Sequence, residues 1–127
     1  MRIMLSLFSL FWLALLTATA VQPSGGGTEA DPYLIADIDN LQWLSENTSG
    51  WNAWYQQTAN IDASATSAWN GGEGWSTIGN ESTYFTGHYD GQGFTIDGVY
   101  INRPSGNYQS VYGLTDSSTM FDLGAVN

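Results

Sequence analysis

The residues that could do chemistry in this chain are few, and each has a structural use that competes with a catalytic one. The single histidine, His88, lies in Gly87-His88-Tyr89-Asp90. A histidine oriented by a nearby aspartate can act as a general base, with Ser76 or Ser82 as nucleophile. Neither serine stands in the strand-to-helix elbow that exposes a nucleophile, so His88 reads as an exposed turn residue. Asp90 and Asp97 flank a short apolar run and could approach each other as the two carboxyls of a glycoside hydrolase do. Each directly precedes glycine, however, and aspartate before glycine is ordinary turn chemistry. No catalytic residue is assigned. Asp37, Asp39, Asn40 and Asp62 are hard oxygen ligands of the kind Ca2+ prefers, yet no EF-hand or nonapeptide loop surrounds them. No metal site and no cofactor are expected, and Ca2+ would bind weakly. Gly91-Gln92-Gly93 lacks the third glycine and the helix of a dinucleotide fingerprint. Asn47-Thr48-Ser49 and Asn80-Glu81-Ser82 fit the N-glycosylation acceptor pattern, a match read here as coincidence.

Aromatic residues are the densest constellation. Trp43, Trp51, Trp54, Trp69 and Trp75 occur with Tyr84, Tyr89, Tyr100 and Tyr108 in a chain of 127 residues. Large rings dominate burial in a small domain, so most should be core. Rings left outside beside amides and carboxylates suit stacking and hydrogen bonding to neutral sugars. The contact residues expected on this ground are Tyr89, Gln92, Tyr100 and Asn102.

The elements that must position these groups are short. In residues 84–103, glycine corners at Asp90-Gly91-Gln92-Gly93 and Asp97-Gly98 separate runs with a period of two, which places Phe94 and Ile96 on one face. Such strands joined by abrupt corners suggest a solenoid. Ile38, Leu41 and Leu44 recur along one face of a helix expected over residues 37–47, capped by Asp37 or Asp39. A strand is expected over Trp54 to Asp62, with Tyr55, Gln57, Ala59 and Ile61 on one face. Ala63 to Gly79 reads as a long loop carrying Trp69 and Trp75. Short apolar pieces follow around residues 111–114 and 120–126.

Composition sets the outer limits. Residues 1–20 have a basic start, an apolar run over Ile3 to Leu16 and the small-x-small pattern Ala18-Thr19-Ala20, as a signal peptide does. The apolar run is short for a membrane span. Residues 21–30 read as a flexible leader, and residues 31–127 as one domain. Residues 21–127 together hold all 12 carboxylates, and their only basic side chain is Arg103. Nucleic acid and anionic lipid are thereby excluded as partners, because both are bound through Lys and Arg. With no cysteine, stability must come from burial or from stacking on more of the same chain. The apolar ending at Phe121-Asp122-Leu123-Gly124-Ala125-Val126-Asn127 suggests that further coils follow.

Gly27-Thr28-Glu29-Ala30-Asp31-Pro32-Tyr33-Leu34-Ile35, Leu41-Gln42-Trp43-Leu44, Thr58-Ala59-Asn60-Ile61-Asp62 and Trp69-Asn70 through Ile78-Gly79 occur in an order that resembles bacterial secreted proteins with GLUG-type repeats. Phe85-Thr86-Gly87 through Asp90-Gly91-Gln92-Gly93-Phe94-Thr95-Ile96 is the most specific match. Gly113-Leu114-Thr115-Asp116 departs from the Gly-Leu-Phe-Gly of that family. The resemblance implies a mostly β fold: the N-terminal cap and first coils of a right-handed parallel β-helix, with one short α-helix. It also implies a secreted or cell-surface, adhesin-like scaffold with no catalytic residue to carry over, whose partner is carbohydrate or another surface protein. The competing expectations are a polysaccharide hydrolase or lyase whose catalytic part lies beyond residue 127, and a passive spacer of a multidomain extracellular protein.

Overall fold

The computed structural model describes residues 19–122 and residue 124. Most of the signal-peptide expectation, and the chain end at residues 123 and 125–127, lie outside them. Among the described residues six strands form: β1 (Tyr33–Ile35), β2 (Trp54–Gln57), β3 (Ile61–Asp62), β4 (His88–Asp90), β5 (Ile96–Asp97) and β6 (Thr119–Phe121). One α-helix, α1 (Ile38–Glu46), follows β1, and 3₁₀ turns span Thr48–Gly50 and Ser64–Gly72. A four-stranded sheet has the order β1-β2-β4-β6 with every neighbouring pair parallel, and β3 pairs with β5 in a separate two-stranded parallel sheet.

The expected mostly β right-handed parallel β-helix is therefore corrected to a small four-stranded parallel sheet accompanied by helical segments. No described strand exceeds four residues, and helical turns hold about as much of the described chain as strands and isolated bridges do. The cause is local. Glycine and Asx corners stop each run after two to four residues, and elsewhere the pairing shrinks to isolated bridges such as Ile78 with Tyr112 and Phe85 with Thr115. The strand expected over residues 54–62 illustrates this. β2 stops at Gln57, the chain turns at Thr58–Asn60, and Ile61 resumes in the other sheet. The loop expected over residues 63–79 contains the 3₁₀ segment, which kinks where Asn70 and Gly71 take φ of 52° and 65°.

Helix α1 forms as its apolar spacing predicts. Asp37 is the cap: it is extended, and its carboxylate accepts a 3.0 Å bond from the Asn40 amide. Leu41 and Leu44 are buried against the sheet. At the other end the Trp51 indole donates to the Leu44 carbonyl at 2.7 Å, satisfying one of the acceptors that a helix terminus leaves open. Residues 21–28 are tied to this body. Asn40 donates to the Val21 carbonyl at 3.0 Å, Leu34 donates to Ser24 at 2.8 Å, and Trp54 donates to Gly27 at 3.0 Å.

The core is a stack of rings. Register places Tyr33, Tyr55 and Tyr89 in one row across β1, β2 and β4. Tyr33 lies 5.4 Å from Tyr55, Tyr55 lies 6.3 Å from Phe85, and Tyr112 lies 5.3 Å from both Phe85 and Tyr89. Trp75 is fully buried and donates its indole N–H to the Val111 carbonyl at 3.2 Å.

In the neighbouring row, Ile35 faces Gln57, a wholly buried amide. Its Nε2 donates to the carbonyls of Ala59 (2.9 Å) and Thr95 (3.0 Å), while its Oε1 accepts from the Tyr89 hydroxyl at 2.9 Å. Replacing it by Leu keeps the bulk but strands the Ala59 carbonyl and the Tyr89 hydroxyl, each costing about 1–3 kcal/mol when buried and unpaired, while the Thr95 carbonyl keeps the Ile61 amide at 2.8 Å. Gln57→Leu is expected to lower the unfolding free energy by about 3 kcal/mol in urea titration. A variant as stable as the parent would remove Gln57 from this role.

Burial holds the phenols of Tyr55, Tyr89 and Tyr112 well above the ordinary tyrosine range, with neighbouring groups adding to the effect. A raised folded value means that their contribution to stability is complete below the unfolded value of about 10 and is lost as pH rises above it. Absorbance titration should show these three tyrosines ionising only together with unfolding at strongly alkaline pH, after the exposed ones.

Candidate functional site

Alternation in β2 sends Tyr55 and Gln57 inward, so Trp54 and Gln56 face the other way. The parallel register carries this outward face across the sheet in two rows. One row is Trp54, His88 and Thr119, and the other is Gln56, Asp90 and Phe121. His88 stacks on Trp54 with ring centroids 3.7 Å apart and planes 18° from parallel. Its Nδ1 is bonded to the Thr119 hydroxyl. The imidazole is thus held on both sides by strand residues, half-buried within a sheet rather than in a turn as the sequence suggested.

A groove of about 140 Å³ lies on this face, lined among others by Glu29, Trp54, Gln56, His88, Asp90 and Phe121. Phe121 is 46% exposed. The Asp90 carboxylate accepts from the Gln92 backbone amide at 2.9 Å and from the Gln92 side chain, which fixes it at the rim. The result is a row of amide, carboxylate and apolar ring (Gln56, Asp90, Phe121) displayed on paired strands, with Glu29 added from the segment before β1. Strands position such groups more accurately than loops do.

Two other cavities are less suitable. A cleft of about 530 Å³ is larger, but its walls are exposed turn residues including Thr48, Asn80, Ser82 and Tyr108. A third, of about 200 Å³, lies between Gln42, Glu46, Trp69 and Asn70. The buried Gln42 Oε1 lacks a hydrogen-bond partner while Nε2 bonds Glu46 at 3.2 Å.

The structure scatters the sequence-derived contact residues. Tyr89 is the clear correction: it is wholly buried, packed on Tyr112 and bonded to Gln57, because the register of β4 turns it into the aromatic row. Gln92 is exposed, at φ 53°, and its side chain is spent on Asp90. Tyr100 is 40% exposed, as its alternation predicted, and Asn102 is exposed nearby, its amide bonded to the Glu73 carbonyl at 2.8 Å. None of these four lines the groove. Trp54, Gln56 and Phe121 were missed, although the alternation that put Tyr55 and Gln57 on one face already put Trp54 and Gln56 on the other.

The catalytic and metal candidates are dispersed too. Asp90 belongs to the four-stranded sheet and Asp97 to the two-stranded one, where it accepts from the Thr95 hydroxyl at 2.9 Å. Asp37 caps α1, and Asn40 bonds Ala36 and Val21. Asp62 accepts from Ser64, whose side chain and backbone hold this carboxyl below its usual range. Among the described residues no three acidic or histidine side chains gather as a metal site would require. Arg103 is fully engaged, with 2.8 Å to Glu73, 3.1 Å to the Trp75 carbonyl, and further bonds to Gly74 and Ser76.

The chain is similar to two proteins whose names bear on its setting. It is 35% identical over 111 residues to halomucin of Haloquadratum walsbyi, a match covering 84% of this chain and 1% of that protein. It is 37% identical over 99 residues to a protein named as a Gly-rich membrane protein in Evansella cellulosilytica, covering 76% of this chain and 11% of that one. The chain thus spans a small part of either relative. No family model and no solved structure matches it. No described helix is long and apolar enough to cross a membrane.

The stack of Trp54 on His88 gives the outward face its rigidity, and such ring pairs contribute about 0.5–1.5 kcal/mol beyond burial. His88→Ala should cost about 1 kcal/mol of stability and shift tryptophan emission to the red, as the Trp54 ring meets water. Unchanged emission in a folded variant would contradict this placement.

Proposed function

We propose that this chain is a non-enzymatic segment of a cell-surface protein, and that the outward face of its parallel sheet binds uncharged carbohydrate. The single observation that carries the reading is the groove in which Gln56 and exposed Phe121 flank Asp90 beside the Trp54–His88 stack. An aromatic ring covers the apolar face of a sugar, while an amide and a carboxylate take its hydroxyls. Charge narrows the ligand class. The chain carries a formal net charge of -10, and Arg103 is already bonded to Glu73, so uronic or sulfated sugars would meet carboxylates without a cation to receive them. Small volume narrows it further, to one or two sugar rings at a time.

The setting rests on the relatives. One is named as a mucin and the other as a membrane protein, and neither name is that of an enzyme. Both names support a surface or membrane-associated setting, as does the resemblance to GLUG-type secreted chains. The scattering of His88, Asp90, Asp97 and the serines supports a binding role over hydrolysis.

Titration with neutral oligosaccharides, followed by backbone amide NMR shifts, tests the reading. Shifts should concentrate at Gln56, Asp90 and Phe121, and Gln56→Ala and Phe121→Ala should each weaken binding about tenfold, the loss of roughly 1.4 kcal/mol. A folded chain whose spectrum is unmoved across a panel of neutral glycans would leave a passive spacer in its place.

A further inference from the structure

The two acceptor-pattern asparagines, Asn47 and Asn80, are held in different ways. Asn47 closes α1. Its Oδ1 accepts from the Ser49 hydroxyl at 2.9 Å, and its Nδ2 is packed over Gly50, so that a Cβ placed there would lie 2.9 Å from it. It is half-buried. A substituent on that nitrogen would have to displace the turn that ends the helix.

Asn80 is the opposite case. It is exposed, as are Glu81, Ser82 and Thr83, and it heads a tight Asx turn. Its Oδ1 accepts from two backbone amides, Ser82 and Thr83, both at 2.9 Å. The turn is closed by Asn80 N donating to the Thr83 carbonyl at 2.8 Å. All of these bonds use the oxygen or the backbone. The Nδ2 makes no hydrogen bond within the described residues, and Asn80 lines the cleft of about 530 Å³, where Tyr108 stands 55% exposed. Two donors on the oxygen also draw electron density from the carboxamide, which makes its N–H protons easier to remove.

We propose that Asn80 is an acceptor site for N-linked glycan, whereas Asn47 is not. In the transfer, the Asn80 Nδ2 forms a bond to C1 of an oligosaccharide carried on a lipid phosphate. The bond from C1 to the phosphate oxygen breaks, the lipid phosphate leaves with that electron pair, and one amide proton passes to a base of the transferase. Ser82 supplies the hydroxyl at the third position that such transferases require of the motif. The folded turn tolerates the product, because Asn80 is exposed at the cleft and the bonds that close the turn do not use its nitrogen. The first sugar then lies beside Tyr108, on turns away from the groove on the sheet.

The test presents the folded chain to a single-subunit oligosaccharyltransferase that reads the three-residue pattern, with a lipid-linked oligosaccharide as donor. Peptide mass mapping locates the product. Most of Asn80 and little of Asn47 should carry the sugar. Asn80→Gln and Ser82→Ala should each abolish the main product, and Asn47→Gln should leave it intact. Circular dichroism of the same samples establishes that each variant is folded. Transfer to Asn47 in preference to Asn80, or a folded parent chain left unmodified at Asn80, overturns the proposal. Binding of free sugar at the sheet groove is read separately, and neither result decides the other.

Discussion

The buried amide of Gln57 is the constraint on which most of the architecture rests. It lies at the end of β2, and it spends both donors and its acceptor on partners from separate parts of the chain: Ala59 just beyond the turn, Thr95 before β5, and Tyr89 in β4. A buried polar group without partners is costly, so the position of each partner is fixed by the need of the others. Thr95 must lie under Gln57 for the two-stranded sheet to pair at Ile61 with Ile96. Tyr89 must turn inward for its hydroxyl to reach, and that choice dictates the orientation of β4.

Once Tyr89 is inside, period two leaves His88 and Asp90 outside, and the outward face of the sheet is determined. The groove is thus a by-product of core satisfaction. Its aromatic and amide groups need no loop to hold them, since Trp54, Gln56 and Asp90 belong to strands that cannot rotate without emptying the aromatic row behind them. The paucity of cations completes the character of this surface. Arg103 is absorbed by the segment around Glu73 to Ser76.

Much of the local structure was legible in the sequence. The spacing of Ile38, Leu41 and Leu44 with Asp37 ahead of them specified α1 almost to the residue, because helix caps and apolar stripes are local signals. The alternation around Tyr55 and Gln57 was legible for the same reason. Three things were not. The strand expected through Asp62 ended early, since Asn60 turns its side chain to the Thr95 amide at 2.9 Å, a contact made across 35 positions. Tyr89 was expected outside, because nothing beside it in sequence reveals that Gln57 requires its hydroxyl. The overall winding was overestimated, since pattern alone shows where strands start but not how soon corners interrupt their pairing. The site was half visible: the outward partners of β2 followed from alternation, but their company with Phe121 depends on register.

Strand order in the main sheet follows chain order, with β1, β2, β4 and β6 each laid against its predecessor. Every pairing must first close the whole intervening segment, so assembly is non-local and slow compared with a hairpin fold. The same order makes the sheet directional under load. Tension applied through the carboxyl-terminal side reaches β6 alone, which can be stripped while the rows of β1, β2 and β4 stay paired. Under such a load the sheet would yield from one end and re-form in the same order, lengthening by stages instead of failing at once.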